Sequence, residues 1–331
     1  MSFHVLVTPR SFAQWDDLPL KFLEESGFLV KRNPFQRPLT EDEMAENVQN
    51  ADGLIVGVDP VSKRVIESAR CLRVISKYGV GIDNIDLAAA TRRGIVVTST
   101  PGANTEAVAD LTFGMMIATA RRITEADRAV KEGRWERFMG MDVWGRSLGV
   151  IGAGQIGKAV VRRAQGFNMK VVAFDLRPDR EWAATAGVEY TSLEDLISRS
   201  DFITIHLALT DATQGLIGKD QIALMKQSAV LVNTSRGGII DETALAGALN
   251  EEKIFAAALD VFAEEPVRDV QLLTARGLVA TPHIGAYSHG ALNTMGTMAA
   301  KNLAAVFNSL KPEHVLNPEV YKNLREGEKE C

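Results

Sequence analysis

Ser147-Leu148-Gly149-Val150-Ile151-Gly152-Ala153-Gly154-Gln155-Ile156-Gly157 reads as a strand that runs into G-x-G-x-x-G and then into a helix. Gly152 suits the tight turn, Gly154 lets the backbone approach a pyrophosphate, and Gly157 permits close packing of helix on strand. The helix N-terminus offers unsatisfied N–H groups and the positive end of a dipole to an anion. Such a motif is weak alone and gains weight from its context. The next strand, Val171-Val172-Ala173-Phe174-Asp175, ends in an acid eighteen positions after the third glycine. An aspartate there can accept hydrogen bonds from both adenosine ribose hydroxyls and repels a 2′-phosphate, which favours NAD over NADP. Arg177 nearby softens that preference.

Outward from this loop, short β-branched runs alternate with helical patterns. Upstream strands are expected at Val5–Thr8, Leu54–Val58, Arg73–Tyr78 and Ile95–Thr98, with helices such as Glu41–Asn50, Lys63–Ala69 and Ile85–Arg93 between them. Downstream strands are expected at Lys170–Asp175, Phe202–His206, Ala229–Thr234, Ala257–Val261 and Val279–Ala280. Strands alternating with helices imply βαβ units and parallel sheets, an α/β fold. Apolar positions at helical spacing predict one long helix over Glu106–Lys131, and a final helix over Ser288–Leu310 precedes a polar tail.

The chain has 331 residues, about two domains' worth. With 37 Lys and Arg against 42 Asp and Glu its net charge is −5, the opposite of a nucleic-acid binder's basic footprint. No apolar run reaches the ~18 residues of a membrane span. The N-terminus lacks a basic segment followed by a long apolar one, so a cytoplasmic protein is expected. Two cysteines, Cys71 and Cys331, make neither a disulfide framework nor a cysteine-rich zinc site, and no metal is expected.

Three further segments carry chemistry: Val232-Asn233-Thr234-Ser235-Arg236-Gly237-Gly238, Ala258-Leu259-Asp260-Val261-Phe262-Ala263-Glu264-Glu265-Pro266 and Thr281-Pro282-His283-Ile284-Gly285. Together with the glycine loop, with Lys77-Tyr78-Gly79-Val80-Gly81-Ile82-Asp83-Asn84-Ile85-Asp86 and with Pro101-Gly102-Ala103-Asn104-Thr105-Glu106, they resemble the D-isomer-specific 2-hydroxyacid dehydrogenases, and within them the phosphoglycerate dehydrogenase-like branch. The resemblance covers nearly the whole chain. It implies an NAD-dependent oxidoreductase that interconverts a D-2-hydroxy acid and its 2-keto acid, with 3-phosphoglycerate or a related small hydroxy acid as substrate.

The residue types suit that chemistry. Hydride leaves C2 of a hydroxy acid only if the hydroxyl proton leaves too, and a histidine fits that general base. By resemblance it is His283, with Glu265 fixing its tautomer and Arg236 presenting a planar fork to the substrate carboxylate. The resemblance further assigns Val80, Gly81 and Asn104 to the substrate, with Arg236. It assigns Gly152, Gly154, Gln155, Ile156, Gly157, Asp175, His206, Thr213, Thr234, Ser235, Asp260 and Gly285 to the cofactor, Asp260 holding the carboxamide and Val108 lying against the nicotinamide. The family often has proline where Ala208 stands.

Relatives that bind phosphoglycerate often carry Arg-Ser after the strand Leu54–Val56, where this chain has Gly57-Val58-Asp59-Pro60. An aspartate there disfavours a phosphate; Lys63, Arg64, or Arg134 or Arg137 of a partner subunit could compensate. The resemblance also implies two doubly wound parallel-sheet domains. A Rossmann-type cofactor domain, 101–287, is inserted into a flavodoxin-like substrate domain, 1–100 and 288–331. The apolar side of the 106–131 helix, with Trp135 and Phe138 beyond it, suits a homodimer interface. Two alternatives stand. A formate dehydrogenase-like enzyme pairs its histidine with glutamine, which Glu265 opposes. An NAD-sensing binding protein on this fold could keep the same three residues.

Overall fold

The computed structural model describes residues 2–323. The polar tail and Cys331 lie outside the described residues. In chain order the first elements are β1 (Phe3–Val7), α1 (Leu18–Glu25), β2 (Phe28–Arg32), α2 (Glu41–Asn47), β3 (Gly53–Val56), α3 (Lys63–Ser68), β4 (Val74–Lys77), α4 (Leu87–Arg92) and β5 (Val96–Thr98). The middle of the chain gives α5 (Thr105–Ala120), α6 (Ile123–Lys131), β6 (Ser147–Ile151), α7 (Gln155–Gly166), β7 (Lys170–Phe174), α8 (Arg180–Ala186), β8 (Glu189–Tyr190), α9 (Leu193–Arg199) and β9 (Phe202–Ile205). It continues through α10 (Lys219–Ala223), β10 (Val230–Asn233), α11 (Glu242–Asn250), β11 (Ala256–Leu259), α12 (Val270–Leu273) and β12 (Leu278–Ala280). Helices α13 (His289–Phe307) and α14 (Val320–Asn323) follow.

Contacts divide these elements into two compact units. One comprises the residues up to Asn104 with those from Tyr287 onward, and the other is Thr105–Ala286. The first holds a five-stranded sheet in the order β2-β1-β3-β4-β5, every pair parallel. That is the flavodoxin-like order. Its core gathers Leu6, Leu54, Val56, Ile75 and Val97 from the strands with Met44, Val65, Ile66 and Ala90 from the helices.

The second unit holds a seven-stranded, all-parallel sheet in the order β12-β11-β10-β9-β6-β7-β8. This is the doubly wound Rossmann order, and strand order reverses between β6 and β9. The period of two along buried strands divides side chains between its faces. Leu148, Val150, Val230, Val232 and Ala258 pack on one face with α5 and α7, while Ile151, Leu231, Ala257 and Leu259 pack on the other with α9 and α11. Gly149 leaves the room Leu196 needs, since a β-carbon there would lie 2.5 Å from its Cδ2. The expected α/β class with two doubly wound parallel sheets is the architecture observed.

Some elements differ from the sequence reading. The expected single helix over Glu106–Lys131 is two helices, because the chain turns at Arg121 and Arg122 and Arg122 is left-handed (φ 52°). The cause is tertiary: Met141 N donates to the Ala120 carbonyl at 2.9 Å, so a returning segment finishes α5. Strand β2, Phe-Leu-Val-Lys-Arg, was not expected; as an edge strand it exposes part of its length and lacks the unbroken apolar run of its buried neighbours. The other shared elements shift by a few residues at their ends. No helix among the described residues is long and apolar enough to cross a membrane.

Candidate functional site

The glycine loop sits where the second sheet reverses its strand order, between β6 and α7. Gly152 has φ +94°, and a β-carbon there would lie 2.6 Å from the His206 carbonyl oxygen. At Gly157 it would lie 2.1 Å from the Gly152 carbonyl oxygen. At Gly154, the N-cap of α7, it would meet nothing in the chain. Two of the three glycines are thus required by the protein's own packing, and the third leaves open space over a helix N-terminus without a side-chain cap. Such space lets a pyrophosphate reach backbone N–H groups. The Asp175 carboxylate, at the end of β7, accepts from Ala153 N and Arg177 N, each at 2.8 Å, so it faces the same loop.

His206 follows β9 directly, beside this loop. Both of its ring nitrogens are buried with no hydrogen-bond partner among the described residues, and burial pushes its pKa down to about 3. Orphaned buried polar atoms are uncommon in folded proteins and mark a place where a ligand can supply the missing partner. Thr213 Oγ1 donates to the Ala208 carbonyl at 2.7 Å and accepts from Thr210 N at 2.8 Å, shaping the following turn. Thr234 is buried at the end of β10, its hydroxyl 2.7 Å from that of Thr112 on α5. Glycine loop, loop-facing Asp175 and orphaned imidazole together fit a dinucleotide.

Arg236, Glu265 and His283 follow three adjacent strands, β10, β11 and β12, beyond their carboxyl ends, where parallel sheets bind ligands. Each turn is built locally. After β10, buried Asn233 accepts from Ser235 N at 3.0 Å and Ser235 Oγ at 2.8 Å and donates to the Arg236 carbonyl at 2.8 Å. The next residue, Gly237, lies against backbone: a β-carbon would come within 1.9 Å of the Phe262 carbonyl carbon. Phe262 N in turn donates to Glu265 Oε1 at 3.1 Å. Ser235 thereby spends its hydroxyl on Asn233, inside the turn.

His283 is left-handed (φ 52°), unusual for a side chain with a β-carbon. It is held there by its N–H, which reaches the Asp260 carbonyl at 2.8 Å, and by the Asp260 side chain. Fully buried Asp260 accepts from Thr281 Oγ1 (2.6 Å), Ile284 N (2.8 Å) and Gly285 N (2.8 Å). Burial raises its pKa, and these donors with His283 offset only part of that. Asp260 therefore organises the histidine turn from within.

His283 Nδ1 lies 2.8 Å from Glu265 Oε2, and each side chain is about one-third exposed, 35% and 36%. Burial alone would raise the Glu265 carboxyl. The hydrogen bond and charge of His283, the Phe262 N–H and the charge of Arg236 together hold it below the ordinary carboxylate range. A histidine bonded to carboxylate through Nδ1 keeps Nε2 for proton exchange.

In the first unit, Val80 and Gly81 sit on a loop after β4. Gly79 (φ +139°) is pinned there: its N–H donates to Thr100 Oγ1 and its carbonyl accepts from Thr100 N, both at 3.0 Å. Val80 is 44% exposed. Asn104 Oδ1 is buried with no hydrogen-bond partner among the described residues. Asp59, expected to repel a phosphate, points inward instead. It is 2% exposed and accepts from Thr8 Oγ1 at 2.5 Å and Leu39 N at 2.8 Å, while Val58 is the exposed residue of that turn.

Known proteins are similar to this chain. The family model described as D-isomer specific 2-hydroxyacid dehydrogenase, NAD binding domain, matches residues 113–285. The glyoxylate reductase of Korarchaeum cryptofilum is 43% identical over 315 residues, covering 91% of this chain and 95% of its own. The chain belongs to the D-isomer-specific 2-hydroxyacid dehydrogenases. The D-3-phosphoglycerate dehydrogenase of Methanocaldococcus jannaschii is 45% identical over 302 residues; these cover 90% of this chain and only 57% of that longer protein. The crystal structure of a glyoxylate reductase from Paecilomyes thermophila superposes with a TM-score of 0.84 at 29% identity, covering 96% and 99% of the two chains. For this dehydrogenase-family chain the dinucleotide that the glycine loop and Asp175 fit is NAD.

The sequence had singled out Arg236, Glu265 and His283 but not Asn233, Gly237 or Thr281, which shape their turns. An asparagine ending a strand before Thr-Ser-Arg-Gly-Gly is a signal for a side-chain-closed turn.

Proposed function

We propose that the protein reduces a small 2-keto acid to the D-2-hydroxy acid, and catalyses the reverse, with NAD(H). The observation that carries the reading is the 2.8 Å pair of His283 and Glu265, which shares its surroundings with Arg236. When bound, the nicotinamide supplies or accepts the hydride. The protein's residues do the rest. Glu265, kept ionised, holds the Nδ1 proton of His283, so Nε2 faces the substrate oxygen. In reduction, protonated His283 delivers its Nε2 proton to the carbonyl oxygen; in oxidation, the neutral ring takes the hydroxyl proton. Arg236 orients the substrate carboxylate. In the first unit, Val80, Gly81 and Asn104 are assigned to the substrate on the family resemblance alone.

Gly152, Gly154, Gln155, Ile156 and Gly157 hold the pyrophosphate, and Asp175 the adenosine ribose. His206, Thr213, Thr234, Ser235 and Gly285 line the rest of the cofactor site, with Asp260 supporting it from beneath. A small substrate of the glyoxylate or hydroxypyruvate kind fits better than a phosphorylated one. The turn after β3 presents Val58 and no cation, and proteins named glyoxylate reductase recur among the relatives. The turned-in Asp59 removes the repulsion expected from sequence without adding a phosphate partner. Trp135, Met139 and Trp144, 86%, 85% and 65% exposed on one segment, support a homodimer. The comparisons lend no support to the NAD-sensing alternative.

The test is oxidation of NADH by purified protein with glyoxylate, hydroxypyruvate, pyruvate and 3-phosphohydroxypyruvate. Turnover led by the small acids supports the proposal. Preference for the phosphorylated acid overturns its substrate part, and NADH binding without turnover of any overturns the whole.

A further inference from the structure

The turn that carries Glu265 is held by an acid outside the acid–base pair. Glu242 opens α11, directly after its N-cap Asp241. Its Oε1 accepts from Ala263 N at 2.6 Å. Ala263 lies in the turn after β11, two residues before Glu265. The connection between β10 and α11 thereby meets the Phe262–Ala263 peptide twice. Gly237 leaves the space that its carbonyl occupies, and Glu242 takes its N–H. The preceding peptide supplies Phe262 N, which donates to Glu265 Oε1 at 3.1 Å. Glu242 thus stands one peptide away from a direct hold on the Glu265 carboxylate.

An acid at the first position of a helix is ordinary, because it complements the helix dipole. Reaching across to another turn is no part of that role, and Asp241 already caps α11 through Ala244 N at 2.9 Å. The place is also a poor one for a negative charge. Glu242 is half-buried, and burial, followed by the charges of Asp269, Glu265 and Asp241, raises its carboxyl above the ordinary range; the Ala263 N–H offsets part of that. What a carboxylate gives here is a strong acceptor, since a hydrogen bond to an ionised group outweighs one to an amide.

We infer that Glu242 is a positioning residue for Glu265: its carboxylate fixes the Phe262–Ala263 peptide, and with it the turn that sets Glu265 against His283. This rests on the reading of His283 and Glu265 as the acid–base pair of the reaction. Glu242 acts through Glu265 on the proton-transfer step, and its contacts leave the glycine loop untouched.

The experiment measures steady-state reduction of glyoxylate by the unmodified protein and by Glu242→Gln, Glu242→Asp and Glu242→Ala, each also in a Glu265→Ala background. NADH affinity and melting temperature are measured alongside. Gln keeps the reach and an acceptor without the charge. Asp keeps the charge and the helix-terminal role but is one methylene shorter. Loss of the hydrogen bond predicts a kcat lowered about tenfold in Asp and Ala, and within about threefold of the unmodified protein in Gln. NADH affinity is unchanged, and in the Glu265→Ala background the same substitutions cost less than about twofold, because the residue they act through is gone. The Gln and Asp variants decide where Ala does not fold.

A kcat in Glu242→Asp or Glu242→Ala within about twofold of the unmodified protein overturns the inference. So does an impaired Gln beside a normal Asp, which assigns the role to charge alone. An equal loss with and without Glu265, or a joint failure of kcat, NADH affinity and melting temperature, also overturns it, since either describes a purely structural glutamate. An unmodified protein that binds NADH but reduces no keto acid defeats the underlying reading, and is told apart because it fails before any substitution.

Discussion

His283 Nδ1 and Glu265 Oε2 stand 2.8 Å apart, across the ends of two neighbouring strands, with the histidine backbone held at φ 52°. Strain of this kind persists only where surrounding bonds over-determine it. Here Asp260 does so, through its carbonyl to His283 N and its carboxylate to the following N–H groups. The geometry of the His283–Glu265 pair is therefore held by the protein's own hydrogen bonds. Replacing His283 by alanine removes proton transfer, and kcat should fall ~10²–10⁴-fold with NADH affinity little changed. Steady-state kinetics with NADH titration checks both.

The same pair predicts a pH signature in stability. The folded Glu265 carboxyl lies below its ordinary value, so its contribution is fully present above the ordinary carboxylate range and is lost as pH falls through the folded value. Glu265→Gln should therefore melt below the unmodified protein at pH 7, and the gap should narrow towards pH 3. Melting curves across that range decide; a gap that widens in acid removes the ion pair from the account.

His206 works in the opposite chemical sense but with the same slope. Its neutral form is favoured by burial down to about pH 3, whereas the unfolded chain takes up the proton near 6.5. Between those values the unfolded state binds more protons, so stability falls with falling pH, by at most about 1.4 kcal/mol per unit from this group. His206→Gln should flatten the denaturation profile between pH 6 and 4, which urea titrations would reveal.

Asp175 should set cofactor choice. Its carboxylate already braces the glycine loop through Ala153 N, so Asp175→Ala should weaken NADH binding and narrow the preference over NADPH, with Arg177 free to approach a 2′-phosphate. The ratio of kcat/KM for the two cofactors, before and after substitution, measures it. Equal use of both by the unmodified protein would remove the role.

Arg236→Lys keeps the charge and loses the fork. Loss of one charge-assisted hydrogen bond, ~1.5–3 kcal/mol, predicts a drop of roughly ten- to over a hundredfold in kcat/KM for keto acids, with cofactor affinity preserved. A change of less than about threefold would mean that the guanidinium geometry does not matter.

Much of this was legible in the chain because parallel strands buried on both faces read as short apolar runs, and the catalytic motifs follow such runs directly. Gly152 and Gly157 are assigned their turn and packing roles from spacing, and in the structure a β-carbon at either would stand 2.6 or 2.1 Å from a backbone oxygen. What escaped was tertiary. The end of α5 depends on Met141 reaching Ala120, twenty-one residues away, which no local period encodes. Edge strand β2 has one neighbour and an exposed face, so its pattern is diluted. Asp59 reads in sequence as a charge at a turn, but its direction is decided by Thr8 and Leu39, from two other segments.

The central claim is that the chain transfers hydride between NAD(H) and the C2 carbon of a hydroxy acid of D configuration. Incubating the protein with NADH and hydroxypyruvate or pyruvate, and resolving the product on a chiral column, tests this most directly. The account predicts one D-2-hydroxy acid formed per NADH consumed, and none with His283→Ala on the same timescale. Formation of the L-isomer, or full turnover by the alanine variant, would contradict it.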